Sequence, residues 1–263
     1  MKKIAVLIDF TKTTNNALLF AKQISMQKNL EIVLIHIHKS RNEEIIAEKN
    51  RKMAEYVSEI HSAGLTCTSL FAFGNFFSQI STAVSKSKAG LVIIGTHGKT
   101  GLKQRLFGSN ILKVVQSLPV PSLVIQDNSS YPGNGFSNVL IPIDKHAGEY
   151  TRKLDIAHSL LTENGLIKMY AIYTSESLED DLKNNLDLSI KYLEQRHWPY
   201  EIVEDRKLVY SVGYSKQTLS HIQQYKPDLI AIVAKIAYDN IHFGEMDKDN
   251  VILNPAGTPV LCC

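Results

Sequence analysis

This sequence predicts two tandem α/β domains, each a doubly wound sheet of parallel strands with helices on both faces. Three observations carry the prediction. Short apolar runs bounded by turn formers alternate with longer amphipathic stretches. The strand-like runs are apolar throughout instead of alternating, as strands buried on both faces are. The whole pattern then repeats once, about halfway along the chain.

Taken in order, residues 3–9, KIAVLID, make a first strand that ends on the carboxylate of Asp9. Thr11 to Thr14 cap a helix running to about Gln27, with Ala17, Leu18, Ala21 and Ile24 on one face. Residues 31–38, EIVLIHIH, form the second buried strand. A polar helix over 42–63 turns Ile45, Ile46, Met53, Val57 and Ile60 to the sheet, and Gly64 stops it. A third strand spans 66–73, and Gly74-Asn75 turns into a helix over 76–87. The turn Ala89-Gly90 introduces the fourth strand, residues 91–94, and a loop from Gly95 leads to a helix over 109–117. Pro119 and Pro121 lead into a last strand over 122–126. Five strands alternating with four helices make a parallel sheet, and ligands of such sheets bind outside the carboxyl ends where the winding reverses.

Residues 128–137, NSSYPGNGFS, are turn formers with almost nothing to bury, and they read as a linker between domains over 1–127 and 138–263. NVLIPID then mirrors KIAVLID, with Asp144 in the place of Asp9. Residues 167–173 follow 32–38 at the same offset. Further on, Gly213 mirrors Gly74, residues 229–233 mirror 91–95, and Pro259 mirrors Pro121. Duplication explains so small a drift, and two like domains are expected to pack about a pseudo-twofold axis, as an internal pseudo-dimer.

Composition narrows the function classes. A chain of 263 residues, 44% hydrophobic and 21% charged, is an ordinary globular protein, and its formal charge of +3 carries no footprint for nucleic acid or an anionic membrane. The apolar start is too short for a signal peptide or a span, so cytoplasm is the expectation. Cys67 and the adjacent Cys262-Cys263 give no disulfide framework and read as buried small hydrophobes.

The chemistry sits in GTHGKTGLKQRLFGS, residues 95–109. Gly95 and Gly98 let the backbone turn sharply and approach a ligand with no Cβ in the way, and Gly108-Ser109 open a helix whose first N–H groups and dipole favour an anion. Lys99, Lys103 and Arg105 add positive charge, and His97 is placed to donate to a phosphate. A Walker loop and a dinucleotide fingerprint have other spacings, and neither is present. The second half has no such loop: at the offset aligning the flanking strand, Gly95 falls on Val233, Gly98 on Ile236, Gly108 on Met246 and Ser109 on Asp247.

With Asp9 at a strand end and glycines spaced G-x2-G-x9-G-S, the first half resembles the nucleotide-binding signature of the universal stress protein family, and nearly the whole chain resembles two tandem copies of its domain. The resemblance implies a flavodoxin-like, adenine-nucleotide-binding fold, ATP as ligand, and a site in the first domain only. It implies that Asp9 contacts the ribose or adenine edge, that the backbone at Ile37 reads the adenine, and that Gly95, Gly98, Gly108 and Ser109 hold the phosphates, with Thr11, His97 and Lys99 beside them. Phe10 departs from the small residue that often follows the aspartate in the family. The implied role is a nucleotide-occupied regulatory module with an unidentified protein partner and a possible homodimer. Slow Mg²⁺-dependent ATP hydrolysis and a nucleotide-free, chaperone-like interaction protein are the alternatives.

Each assignment has a plainer rival. Asp9 and Asp144 serve equally well as helix caps. His36 and His38 lie on one face of a strand, a geometry open to a metal, with no third ligand at a telling spacing. For His97 to act as a base it needs a partner to orient it, and the sequence identifies none.

Overall fold

Runs of Ile, Val and Leu with no charge between them fit a pleated surface covered on both sides, and they lie at the centre of this molecule. The computed structural model describes residues 1–39, 41–97, 111–143, 150–173, 178, 180–206, 214–234 and 245–263. These form two units, Met1–Tyr131 and Pro132–Cys263.

In the first unit the elements are β1 (Lys3–Leu7), α1 (Lys12–Lys28), β2 (Glu31–His38), α2 (Glu43–Ser62), β3 (Cys67–Phe73), α3 (Phe76–Ser87), β4 (Leu91–Thr96), α4 (Ile111–Ser117) and β5 (Ser122–Gln126). The strands are parallel and ordered β3-β2-β1-β4-β5. Ile4, Val6, Leu34, Ile93 and Leu123 have no exposed surface, and each such side chain contributes about 1.5–3 kcal/mol. Right-handed crossovers put α1 and α2 on one face and α3 and α4 on the other. Lys22 and Glu59 join α1 to α2 at 2.7 Å.

Helix boundaries follow local chemistry. The Asn42 and Asn75 side chains cap α2 and α3 by accepting from Ile45 N–H and from Phe77 and Ser78 N–H. Beyond α2, Gly64 has φ +78, the left-handed value that lets the chain leave the helix.

The second unit repeats the arrangement with β6 (Phe136–Pro142), α5 (Tyr150–Leu160), β7 (Leu161–Tyr173), α6 (Asp180–Gln195), β8 (Tyr200–Arg206), α7 (Tyr214–Tyr225), β9 (Leu229–Ile232), α8 (Glu245–Ile252) and β10 (Val260–Cys262). Its parallel strands are ordered β10-β9-β6-β7-β8.

Several boundaries differ from the sequence reading. The first strand stops at Leu7, short of Asp9, because the Asp9 carboxylate takes the Thr11 N–H and pulls the chain out of the sheet. The fourth strand continues through Gly95 to Thr96, paired with Ile125 and Gln126, so Gly95 belongs to the strand and not to the loop. The segment over 128–137 is built into the units at both ends. Ser129 is buried and its hydroxyl accepts from Gln126 N–H, Tyr131 packs edge-on against Phe20, and Phe136 is fully buried as the first residue of β6. All three cysteines are buried and outside any disulfide, and burial pushes the Cys67 thiol up to about 12. Among the described residues no helix is long and apolar enough to cross a membrane.

Candidate functional site

The winding of the first sheet reverses between β1 and β4, so the carboxyl ends of these strands open a crevice where open α/β sheets take their ligands. Asp9, Thr11, Ile37, Gly95 and His97 all stand on or beside this rim. Gly98, Lys99, Gly108 and Ser109 lie outside the described residues, as do Asp144, Ile236, Met246 and Asp247 or their side chains in the second unit.

Asp9 organises the entry to α1. Its Oδ1 accepts from Thr11 N–H at 2.9 Å, from the Thr11 hydroxyl at 2.6 Å and from the Thr14 hydroxyl at 2.8 Å. The helix start is therefore held by the preceding carboxylate; the Thr11 side chain makes no capping bond. Among the described residues no donor meets Oδ2. The carboxylate thus carries the capping role on one oxygen alone. Phe10 sits at φ 63, a left-handed value costing a non-glycine residue roughly 1–2 kcal/mol. Its ring is held edge-on to His36, with centroids 4.8 Å apart, and parallel to Tyr56 at 6.2 Å.

The second strand outruns the first. The β1–β2 register ends at Leu7 opposite Ile35, and the last bond runs from Ile8 N–H to Ile35 C=O at 2.8 Å. In a parallel ladder the N–H and C=O of one residue face the same neighbour, and successive residues alternate. His38 C=O accepts from Gly74 N–H on the far side. Ile37 therefore points its N–H and C=O past the end of β1, into the crevice. Leu7, Ile35 and Ile94 lie side by side in register, so Ile37 and Thr96 share their face of the sheet. A shallow cleft there, open to solvent, is lined by Leu7, Ile8, Ile35, His36, Ile37, Lys39 and Phe76. The Thr96 hydroxyl is buried and, among the described residues, meets no hydrogen-bond partner. A donor and an acceptor side by side, over a largely apolar floor, suit a flat heterocycle carrying both hydrogen-bonding characters.

Gly95 has a different physical reason from the one expected. It lacks a left-handed φ, and its bare side faces α1, where a Cβ would lie 2.5 Å from Thr13 O. The glycine lets α1 sit close against β4. Thr13 Oγ1 lies 2.7 Å from Thr11 Oγ1, which bonds Asp9, so Gly95 supports the Asp9 network from beneath.

His97 Nδ1 lies 2.8 Å from Asp127 Oδ2, just past β5. Only a ring N–H can join a carboxylate there, so Nδ1 carries a proton and the ring is held in one orientation. Sequence reasoning missed Asp127, although it stands at the carboxyl end of a strand, the place the winding rule singles out. Phe76 and Lys39, which line the cleft, were missed too, for want of any motif.

The histidines of β2 face the α2 side. His36 Nδ1 donates to Ile8 C=O at 2.7 Å, and among the described residues its buried Nε2 meets no partner. Burial pushes its pKa down to about 4; the Ile8 bond opposes the fall, and Lys49 and His38 reinforce it. The two rings meet edge to face at 4.7 Å, and His38 lies between Phe71 and Phe73. Among the described residues no group of three His, Cys, Asp or Glu is placed to hold a metal ion. The pair belongs to an aromatic layer under α2.

The first unit is an open parallel α/β sheet with a crevice where its winding reverses, and comparison with known proteins adds what it is similar to. Residues 1–126 match the Universal stress protein family. Universal stress protein MJ0577 of Methanocaldococcus jannaschii is 25% identical over 157 residues, covering 49% of this chain and 97% of that protein. Over the whole length, a universal stress protein from Archaeoglobus fulgidus has the same fold, with TM-score 0.75 at 16% identity over 99% of this chain and 97% of its own. A Pseudomonas aeruginosa protein assigned to the same family gives 0.64 at 15% identity, covering 100% and 92%. The universal stress protein family is thus matched over the first unit, residues 1–126, and the second unit repeats its order of strands and helices.

Proposed function

We propose that the first unit binds an adenine nucleotide, ATP in the first instance, and acts as a nucleotide-occupied regulatory module. The observation that carries this reading is the pair of main-chain groups of Ile37, directed beyond the end of β1 over the cleft floored by Leu7, Ile35 and Phe76. An N–H beside a C=O matches the N1 acceptor and N6 donor of adenine. In this reading Asp9 Oδ2 would take a ribose hydroxyl. Gly98, Lys99, Gly108 and Ser109 would then hold the phosphates. Universal stress protein structures exist in complex with cAMP and, from Arabidopsis thaliana, with AMP; the case for this chain is made from its own residues.

Occupancy is the mechanism. Nucleotide stabilises whichever state binds it better, and so shifts the surface offered to a partner. At a hundred times its dissociation constant ATP stabilises the fold by about 2.7 kcal/mol. A thermal shift of that size, abolished by Gly98→Val with Gly108→Val, is the expected result. No shift at millimolar ATP removes the reading.

Hydrolysis is a second reading, favoured by one observation: Asp127 fixes the His97 ring, as a general base requires. Single-turnover assays with labelled ATP separate the two. Product formation that His97→Ala leaves unchanged discards catalysis by this histidine and leaves the binding role intact.

A further inference from the structure

Among the described residues β3 has a single strand neighbour, β2, with Cys67 opposite Ile32 and Phe73 opposite His38. Ile32 N–H donates to Thr66 C=O and Gly74 N–H to His38 C=O, so the even-numbered residues here turn their main-chain groups to β2. Successive residues of a parallel ladder alternate, and Cys67, Ser69, Phe71 and Phe73 therefore turn theirs away from it. The Cys67 carbonyl accepts from His61 Nε2 at 2.9 Å. At the other end Gly74, with φ +122, takes the chain out of the strand, and Asn75 caps α3. Between these closed ends the N–H and C=O of Ser69, Phe71 and Phe73 meet no partner among the described residues.

The second unit protects its corresponding strand. β8 also pairs with one strand, β7, but its sequence YEIVEDR carries Glu201, Glu204, Asp205 and Arg206, and charges on an edge keep other strands away. β3 reads CTSLFAF, with neither charge nor proline. Phe71 is half-buried, and Phe73 is 50% exposed.

We propose that β3 pairs antiparallel with β3 of a second copy of this chain, about a two-fold axis through Phe71. In this register Phe71 faces Phe71 of the second copy and Ser69 faces its Phe73, so the outward N–H and C=O groups of one strand meet those of the other with none left over. The occupant follows from that symmetry and from charge. The open stretch is evenly disposed about Phe71 and closed at both ends, which makes it complementary to itself. An uncharged strand also sets no like charges opposite each other when it meets its own copy. The rings of Phe71 and Phe73 lie on one face of the strand, stacked on His38, and pairing brings the phenylalanines of the two copies together, a favourable cross-strand contact. Both edges are consumed, so the assembly closes at two chains.

Sedimentation equilibrium of the full chain at micromolar concentrations is expected to show a dimer. Ser69→Pro removes an N–H that points away from β2, which an edge strand tolerates, and the variant is expected to be monomeric. Amide exchange of the wild type needs no variant to fold. The amides of Ser69, Phe71 and Phe73 should slow severalfold as protein concentration passes through the dimer dissociation constant, while those of Thr68, Leu70 and Ala72 stay slow throughout. A chain that remains monomeric, with its outward amides always fast, leaves this edge to an extended segment of some other protein and overturns the proposal. A dimer that persists in folded Ser69→Pro, or that leaves the outward amides fast, is held by another surface and overturns it too.

Discussion

Gly95→Ala separates two reasons for a glycine at the rim. If the residue is bare so that a phosphate can approach, the ligand-free protein should tolerate alanine and only affinity should fall. The structure gives another reason. An added Cβ would lie 2.5 Å from Thr13 O, 2.8 Å from Thr13 C and 3.0 Å from Thr13 Cβ. Two of these atoms are backbone in the first turn of α1, so no rotamer change relieves the contact, and helix and strand must separate. Overpacking of this kind costs about 1–3 kcal/mol. Alanine at an ordinary φ recovers roughly 0.4–1 kcal/mol through the unfolded chain, leaving a net loss of about 1–2 kcal/mol. Moving Thr13 also disturbs Thr11 and, through it, Asp9, so ATP affinity falls as well. Urea unfolding of ligand-free protein is the assay, with a lowered midpoint at unchanged slope expected. An alanine variant as stable as wild type, with only its affinity reduced, would refute the packing argument.

Other perturbations have defined outcomes. Asp9→Ala removes the acceptor of three hydrogen bonds and is expected to cost about 2 kcal/mol together with most of the ATP-induced thermal shift; calorimetry and melting curves check both. Inosine triphosphate presents O6 in place of the adenine N6 donor, facing the Ile37 carbonyl, and should bind at least about tenfold more weakly than ATP; equal affinities would remove Ile37 from base recognition. His36 stays neutral in the fold down to about pH 4, whereas its unfolded counterpart takes a proton near pH 6.5. The unfolded state therefore binds more protons between these values, and the contribution present above pH 6.5 is lost as pH falls towards 4, on the order of 3 kcal/mol. Lys49 and His38 enlarge this effect and Asp9 opposes it. His36→Asn should flatten the stability profile over that window, as chemical unfolding at several pH values would reveal.

Much of the fold was legible because burial on both faces leaves uninterrupted apolar runs, and because the second half repeats them. The ends of strands were less legible. The sequence reading carried the first strand to Asp9 and began the loop at Gly95, but register is decided by partners: Ile35 takes Ile8, while Ile125 holds Gly95 in β4. Phe136 hid among turn formers, although it opens β6. At the site, Asp9 and Ile37 stand where strand ends place them. Asp127 pairs with His97 across 30 positions, and no local pattern announces such a pair.

Isothermal titration of ATP into the purified full-length chain tests the central claim most directly. One nucleotide per polypeptide, with binding lost in Asp9→Ala, is the predicted result. Two equivalent nucleotides per chain would contradict a site confined to the first unit, and no measurable binding would contradict the site itself.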